Sequence, residues 1–149
     1  MTDPDPKDYV AIMNLYAYYN LCSDAGDAES YASCFADKGV LELPSVGLTV
    51  SGRENFLEFK RKDKTARSHI YRRHWNGSVH LEKIDDNTVR GRCYLLAFNG
   101  KPKSLPAIAD CGVYEDTIVR ENGAWKFLKR RIEMDATTFA APVKSSQPA

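Results

Sequence analysis

Apolar positions along the chain follow two different periods. Over Lys7–Ser23 the residues Tyr9, Ile12, Met13, Tyr16 and Tyr19 recur at three- and four-residue spacing, which predicts an amphipathic helix. The segment holds no Gly or Pro. Asp5 followed by Pro6 supplies an N-cap and a first helical residue, and Gly26 supplies the stop. Asp27 then caps a second helix, Ala28–Phe35, with Glu29 in the first turn, where the helix dipole favours a carboxylate. Gly39–Leu43, ended by Pro44, reads as a short strand. Ser51–Glu54 opens a third helix over Arg53–Lys62, with Phe56, Leu57 and Phe59 on its buried side.

Beyond this point the period drops to two. Strands are predicted over His69–Lys83, Thr88–Asn99, Ile108–Arg120 and Ala124–Met134, separated by turns at Ile84–Asn87, Asn99-Gly100 and Glu121–Gly123. Adjacent antiparallel strands of this length must twist and coil strongly to pack on helices. Three helices followed by a meander give an α+β layout with the helices on one face of a curved sheet. Such a sheet leaves a concave apolar pocket, the usual place for a small ligand. Residues 1–135 are read as one domain and 136–149 as an arm or disordered tail. A chain of 149 residues is long enough for a single well-buried domain.

Composition removes several function classes. A hydrophobic content of 43% with 28% charged residues is globular, and a net charge of +1 gives no overall attraction to nucleic acid or to an anionic membrane. No apolar run approaches the roughly 20 residues needed to cross a bilayer. The acidic, Pro-rich start lacks the apolar centre of a signal peptide, so a cytoplasmic protein is expected. Seven Lys/Arg between Lys60 and Arg73 make a local basic run. With few aromatics suited to base stacking, it reads as a solvated helix end and strand edge. Cys22, Cys34, Cys93 and Cys111 lie in separate segments without a CxxC pair and read as reduced thiols. His74 and His80 share strand parity but stand about 20 Å apart at the strand rise, and His69 has the opposite parity. No metal site and no cofactor are expected.

Candidate chemistry centres on His74, near the middle of the strand SHIYRRHWNGSVHLE, because a neutral imidazole takes or gives a proton near pH 7 unaided. Asp24 is the odd residue of the first helix: at a C-terminal end it meets the negative pole of the dipole, which suits it to an imidazole or cationic partner. Tyr16 and Tyr19 lie on one face of that helix. There is no GxSxG elbow, phosphate loop or dinucleotide fingerprint.

The order of a helix ending in Asp, FADKGVLELP, SHIYRRHWNGSVHLE and VYEDTIVRENGAWKFLKRR resembles the SnoaL-like branch of the nuclear transport factor 2-like superfamily, over roughly residues 9–135. The branch includes scytalone dehydratase, a bile-acid dehydratase and hexachlorocyclohexane dehydrochlorinase. The resemblance implies a cone-shaped barrel: a strongly curved, mostly antiparallel sheet covered by three N-terminal helices, assembled as a homodimer or homotrimer. It also implies that Asp24 and His74 are a catalytic pair, with Tyr19 and Arg130 as further catalytic residues. Arg131, of opposite parity, competes with Arg130 for the inward place. Asp110, Tyr114, Tyr16 and Leu41 are implied as substrate-binding. The function so implied is a cofactor-independent lyase, dehydratase or isomerase that abstracts a proton from a small hydrophobic, aromatic or polycyclic molecule. A non-catalytic binder or an oxygenase small-subunit-like protein of the same fold is the alternative.

Overall fold

A computed structural model describes residues 1–139. The first helix, α1 (Pro6–Ala25), begins with Asp5 at the N-cap and Pro6 at its first position, although the Asp5 side chain makes no capping bond. It ends at Gly26 in the left-handed region (φ 67°), where a side chain would also strike the aliphatic stem of Lys64. Asp27 accepts from the Ser30 amide and starts α2 (Ala28–Ser33). This helix stops two residues short of the sequence expectation. The cause is non-local: the Cys34 carbonyl accepts from the Phe127 amide, and Phe35 opens β1 (Phe35–Leu43) beside the last strand.

A single 3₁₀ turn (Pro44–Val46) leads to β2 (Leu48–Ser51), a strand too short to stand out in the sequence, and then to α3 (Arg53–Ala66). The meander follows as β3 (Tyr71–Asp85), β4 (Thr88–Gly100), β5 (Ala107–Glu121) and β6 (Ala124–Thr137). The six strands form one sheet in the order β2-β1-β6-β5-β4-β3, antiparallel except for the β1–β6 pair. The predicted α+β layout with three helices is present. The curved sheet of the expected cone-shaped barrel does not close on itself: β2 and β3 are unpaired edges among the described residues. The predicted tail is also corrected at its start, because Thr137 is the last residue of β6 and Phe139 packs beside it; residues 140–149 of that tail lie outside the described residues.

One sheet face carries the core. Val89, Cys93, Leu95 and Ala97 of β4 alternate inward, while Arg90, Arg92, Tyr94 and Leu96 face out. Against this face the helices bring Ile12, Tyr16, Tyr19, Tyr31, Phe56 and Leu57. Phe35 stacks on Phe56 with ring centroids 4.0 Å apart, and Tyr31, Tyr19 and Phe127 meet edge to face around them. Two bulges reset the alternation. One lies in β3 between Gly77 and His80, with Ser78 at φ 53°; it turns His80 outward while His74 stays inward, so the shared parity of the two histidines does not give a shared face. The other lies in β6 between Phe127 and Lys129, and it puts Arg130 rather than Arg131 into the core. No helix among the described residues is long and apolar enough to cross a membrane.

Candidate functional site

Helix α1 lies along β3, and Asn20 donates to Asn76 across the contact at 2.7 Å. One turn further on, Asp24 reaches the free edge of the strand. Its Oδ2 accepts from the His74 backbone N–H at 2.9 Å, and its Oδ1 bonds the ring Nδ1 in a short contact. Because β3 is an edge strand, that amide has no strand partner, and the carboxylate takes the place of one. Two N–H donors offset the unfavourable end of the helix dipole. Holding Nδ1–H fixes the tautomer and leaves Nε2 with its lone pair. Burial pushes the His74 pKa below its ordinary value; Asp24 opposes that shift, while the charges of Arg72 and Lys60 add to it. The imidazole is therefore neutral at pH 7.

His74 opens on a cavity of about 50 Å³. Tyr19, Leu41, Asp110 and Tyr114 line it too, whereas Asp24 stands behind the imidazole. The tyrosine hydroxyls differ in their freedom. Tyr19 is bonded to the Tyr31 hydroxyl at 3.1 Å, but Tyr114 has no hydrogen-bond partner among the described residues and is 1% exposed. Asp110 is not a free carboxylate. Arg72 donates to its Oδ2, and the Thr137 hydroxyl and Thr138 amide occupy its Oδ1 at 2.6 and 3.1 Å. Asp110 thus lines the cavity with its oxygens already engaged, bridging β3, β5 and the end of β6.

Arg130 and Tyr16 are placed outside the cavity. Arg130 is 0% exposed, donates to Asp116 at 3.0 and 3.2 Å, and lies under the Tyr114 ring at 3.7 Å from its centroid. Tyr19, Phe127 and Tyr16 complete the aromatic box around it, and its Nη1 has no partner. Burial works against the Arg130 charge, but Asp116 and the neighbouring tyrosines outweigh it and hold the guanidinium protonated. Tyr16 donates to the same Asp116 at 2.5 Å. Neither side chain lines the cavity; Arg130 packs against the rings of Tyr114 and Tyr19, which do.

Three cavity residues were hidden in the basic run. Lys60 is 3% exposed and lines the cavity, as do Asp63 and Arg72. A solvated helix end does not describe them. The missed signal is the helical period: Phe56, Leu57 and Lys60 share one stripe of α3, so a lysine sits where the pattern calls for an apolar residue. Arg72 shares the parity of His74 within β3. Among the described residues no three His, Cys, Asp or Glu side chains are grouped so as to hold a metal ion.

Comparison with known proteins fits this architecture. No curated protein matches the sequence significantly. Among solved structures, ActVI-ORFA from Streptomyces coelicolor aligns with a TM-score of 0.77 at 21% identity, covering 85% of this chain and 96% of the other. A protein described as a putative scytalone dehydratase from Novosphingobium aromaticivorans aligns at 0.74 and 22% identity, covering 94% and 95%. A protein described as a putative aromatic ring hydroxylase from the same organism aligns at 0.76 and 18%, covering 90% and 93%. At these identities the likeness is one of fold. The SnoaL-like domain family matches residues 5–131. With most of its length inside that match, and with the fold of these neighbours, the chain belongs to the SnoaL-like domain family of the nuclear transport factor 2-like fold.

Proposed function

We propose that the protein is a cofactor-independent lyase of the dehydratase kind, or an isomerase, acting on a small hydrophobic molecule with an aromatic or polycyclic frame. One observation carries this reading: the Asp24 carboxylate grips both the backbone and the Nδ1 of His74, so that a neutral imidazole turns Nε2 toward a lined cavity. Nε2 takes a proton from a carbon beside a carbonyl, and the C–H electron pair moves into the carbonyl as an enolate. Asp24 steadies the imidazolium that results. That imidazolium then gives its proton to a departing hydroxyl, releasing water, or to a second carbon, moving the double bond. Tyr114, whose hydroxyl has no hydrogen-bond partner among the described residues, is the neutral donor to the developing oxyanion, and Arg130 acts through the ring it supports.

The cavity admits only the reacting end of such a molecule, since about 50 Å³ corresponds to a few waters. Phe59, Asp63 and Phe139 line this cavity and also a groove of about 620 Å³ beside Leu48 and Val50, which takes the apolar frame. Two relatives in fold, one described as an aromatic ring hydroxylase and one as a scytalone dehydratase, support an aromatic frame and a dehydratase reaction respectively. We further infer a homodimer or homotrimer, supported by the exposed Trp75, Tyr94 and Ile108 on the outer sheet face. The small cavity also favours one other reading, a binder without turnover.

Turnover assays on a panel of β-hydroxy ketones with aromatic or steroid frames separate the two. His74→Gln and Asp24→Asn are each expected to lower kcat/KM by about 10²–10⁴-fold, the range for loss of a general base. Turnover that survives His74→Gln unchanged would overturn the base assignment, and binding without any turnover in the intact protein would favour the binder.

A further inference from the structure

We infer that Lys60 is the charged oxyanion donor of this cavity, so that the molecules it takes present a carbonyl or phenolic oxygen that is anionic at the turning point of the reaction. The inference rests on the proposed role of His74 and extends it. Lys60 reaches the cavity wall from the apolar stripe of α3, and its ammonium donates to Ser23 Oγ at 2.8 Å and to Asp63 Oδ2 at 3.0 Å. The face of Tyr31 lies 4.4 Å from it. Two oxygens for three N–H groups leave one N–H without an oxygen acceptor among the described residues.

Charge pairing singles out the same residue. Arg67 holds Asp63 by two bonds of its own, at 3.0 and 2.7 Å, so a buried and a half-buried cation share one carboxylate. Arg72 by contrast is matched by Asp110. The wall at Lys60 thus carries an unmatched positive charge, while the wall at His74 carries the carboxylate of Asp24 behind a neutral base. Removal of a carbon-bound proton needs both ends: the proton moves to Nε2 beside the negative group, and the electron pair settles on an oxygen beside the positive one. A buried lysine is costly to keep, and Asp63 with Arg67 would tie α3 to α1 through the Ser23 carbonyl without it.

Equilibrium binding of 4-nitrophenol tests the assignment without the natural substrate, since its phenolate imitates an enolate and its absorbance reports ionisation. The wild-type protein is expected to favour the phenolate, lowering the probe's apparent pKa on binding. Between pH 7.5 and 10 phenolate affinity is expected to fall by about tenfold or more as Lys60, whose pKa burial lowers to about 8, loses its proton. Other charged and titratable groups face this point too. They include Asp24, Asp110, Arg67, Arg72 and Asp63; burial works against the Asp63 charge, but Arg67 and Lys60 outweigh it and hold its pKa below the usual carboxylate range. His74 is already neutral, while burial raises Tyr19, Tyr31, Tyr114 and Cys22. Lys60→Met is expected to weaken phenolate binding about tenfold and to remove its pH dependence, with Asp63 still held by Arg67. Lys60→Arg is expected to keep the phenolate preference but lose the decline above pH 8.

A wild-type protein with no phenolate preference, or with an affinity flat across the window, overturns the inference without recourse to any variant, as does Lys60→Met binding as tightly as wild type. The base and the donor fail separately. Turnover unchanged in His74→Gln removes the base and leaves the anion site standing, whereas a pH-flat phenolate affinity removes the anion site and leaves the base.

Discussion

His74 is set up by three unlike neighbours. Burial disfavours its charge, Arg72 and Lys60 disfavour it further, and Asp24 favours it, with the balance falling below the ordinary value of 6.5. The sign of the consequence follows. Between the lowered folded value and 6.5 the unfolded chain binds more protons than the folded one, so stability rises with pH across that window and is lost as pH falls through it. Chemical denaturation at pH 7.5 and 5.5 is expected to show a larger loss on acidification in wild type than in His74→Gln, and kcat/KM is expected to rise to a plateau with an apparent pKa under 6.5. An apparent pKa above 6.5 would mean that Asp24 outweighs burial.

Asp24 and His74 were legible as residues because each is locally out of place, one a carboxylate at the wrong end of a helix, the other a base inside a strand. Lys60 was not, since a run of seven cations looks solvated until the helical period is laid over it. Nor was the choice between Arg130 and Arg131, which strict alternation from Trp125 and Phe127 would award to Arg131. One inserted residue at the β6 bulge reverses the answer.

At the scale of elements, the packing of α1 on the sheet depends on an absent side chain. Gly91 in β4 faces Tyr16 so closely that a Cβ there would come within 2.2 Å of the hydroxyl, with Ile118 Cδ1 at 3.1 Å behind it. Gly91→Ala must push Tyr16 off Asp116, leaving the buried Arg130–Asp116 pair short of a donor. The expected cost is about 1–3 kcal/mol, the range for overpacking a core, seen as a fall of several degrees in Tm. Gly77→Ala, with open space around its added methyl, is the control and is expected to leave Tm unchanged. Element positions were readable to within a few residues wherever the period was long. Two exceptions, the early end of α2 and the start of β1, are fixed by pairing with β6 far along the chain, which local pattern does not encode; the third, β2, is a four-residue hairpin partner of β1, too short to show a period.

For the molecule as a whole, the outer face of β3, β4 and β5 is unusual for a surface. Trp75, Tyr94 and Ile108 are 67%, 60% and 62% exposed, and Trp75 packs edge to face on Phe98. Contiguous apolar area of this kind marks an interface more often than open surface. If the proposed homo-oligomer uses it, Trp75→Glu is expected to shift sedimentation velocity from the assembled species to a monomer while the circular dichroism spectrum is retained. An unchanged sedimentation coefficient would place the contact elsewhere. The α+β layout at this scale followed from the order of helices and strands alone. Closure did not, because whether a meander joins its edges depends on strand shear rather than on any one segment.

The bond from Asp24 to the His74 backbone has a consequence apart from chemistry. Strand β3 ends the sheet, and an unpaired edge amide is an invitation to strand addition by another chain. By occupying that amide, the carboxylate guards against aggregation as well as orienting a base. A descendant that traded its imidazole for another side chain would still gain solubility from keeping Asp24, so the acid has a reason to persist independent of the proposed chemistry.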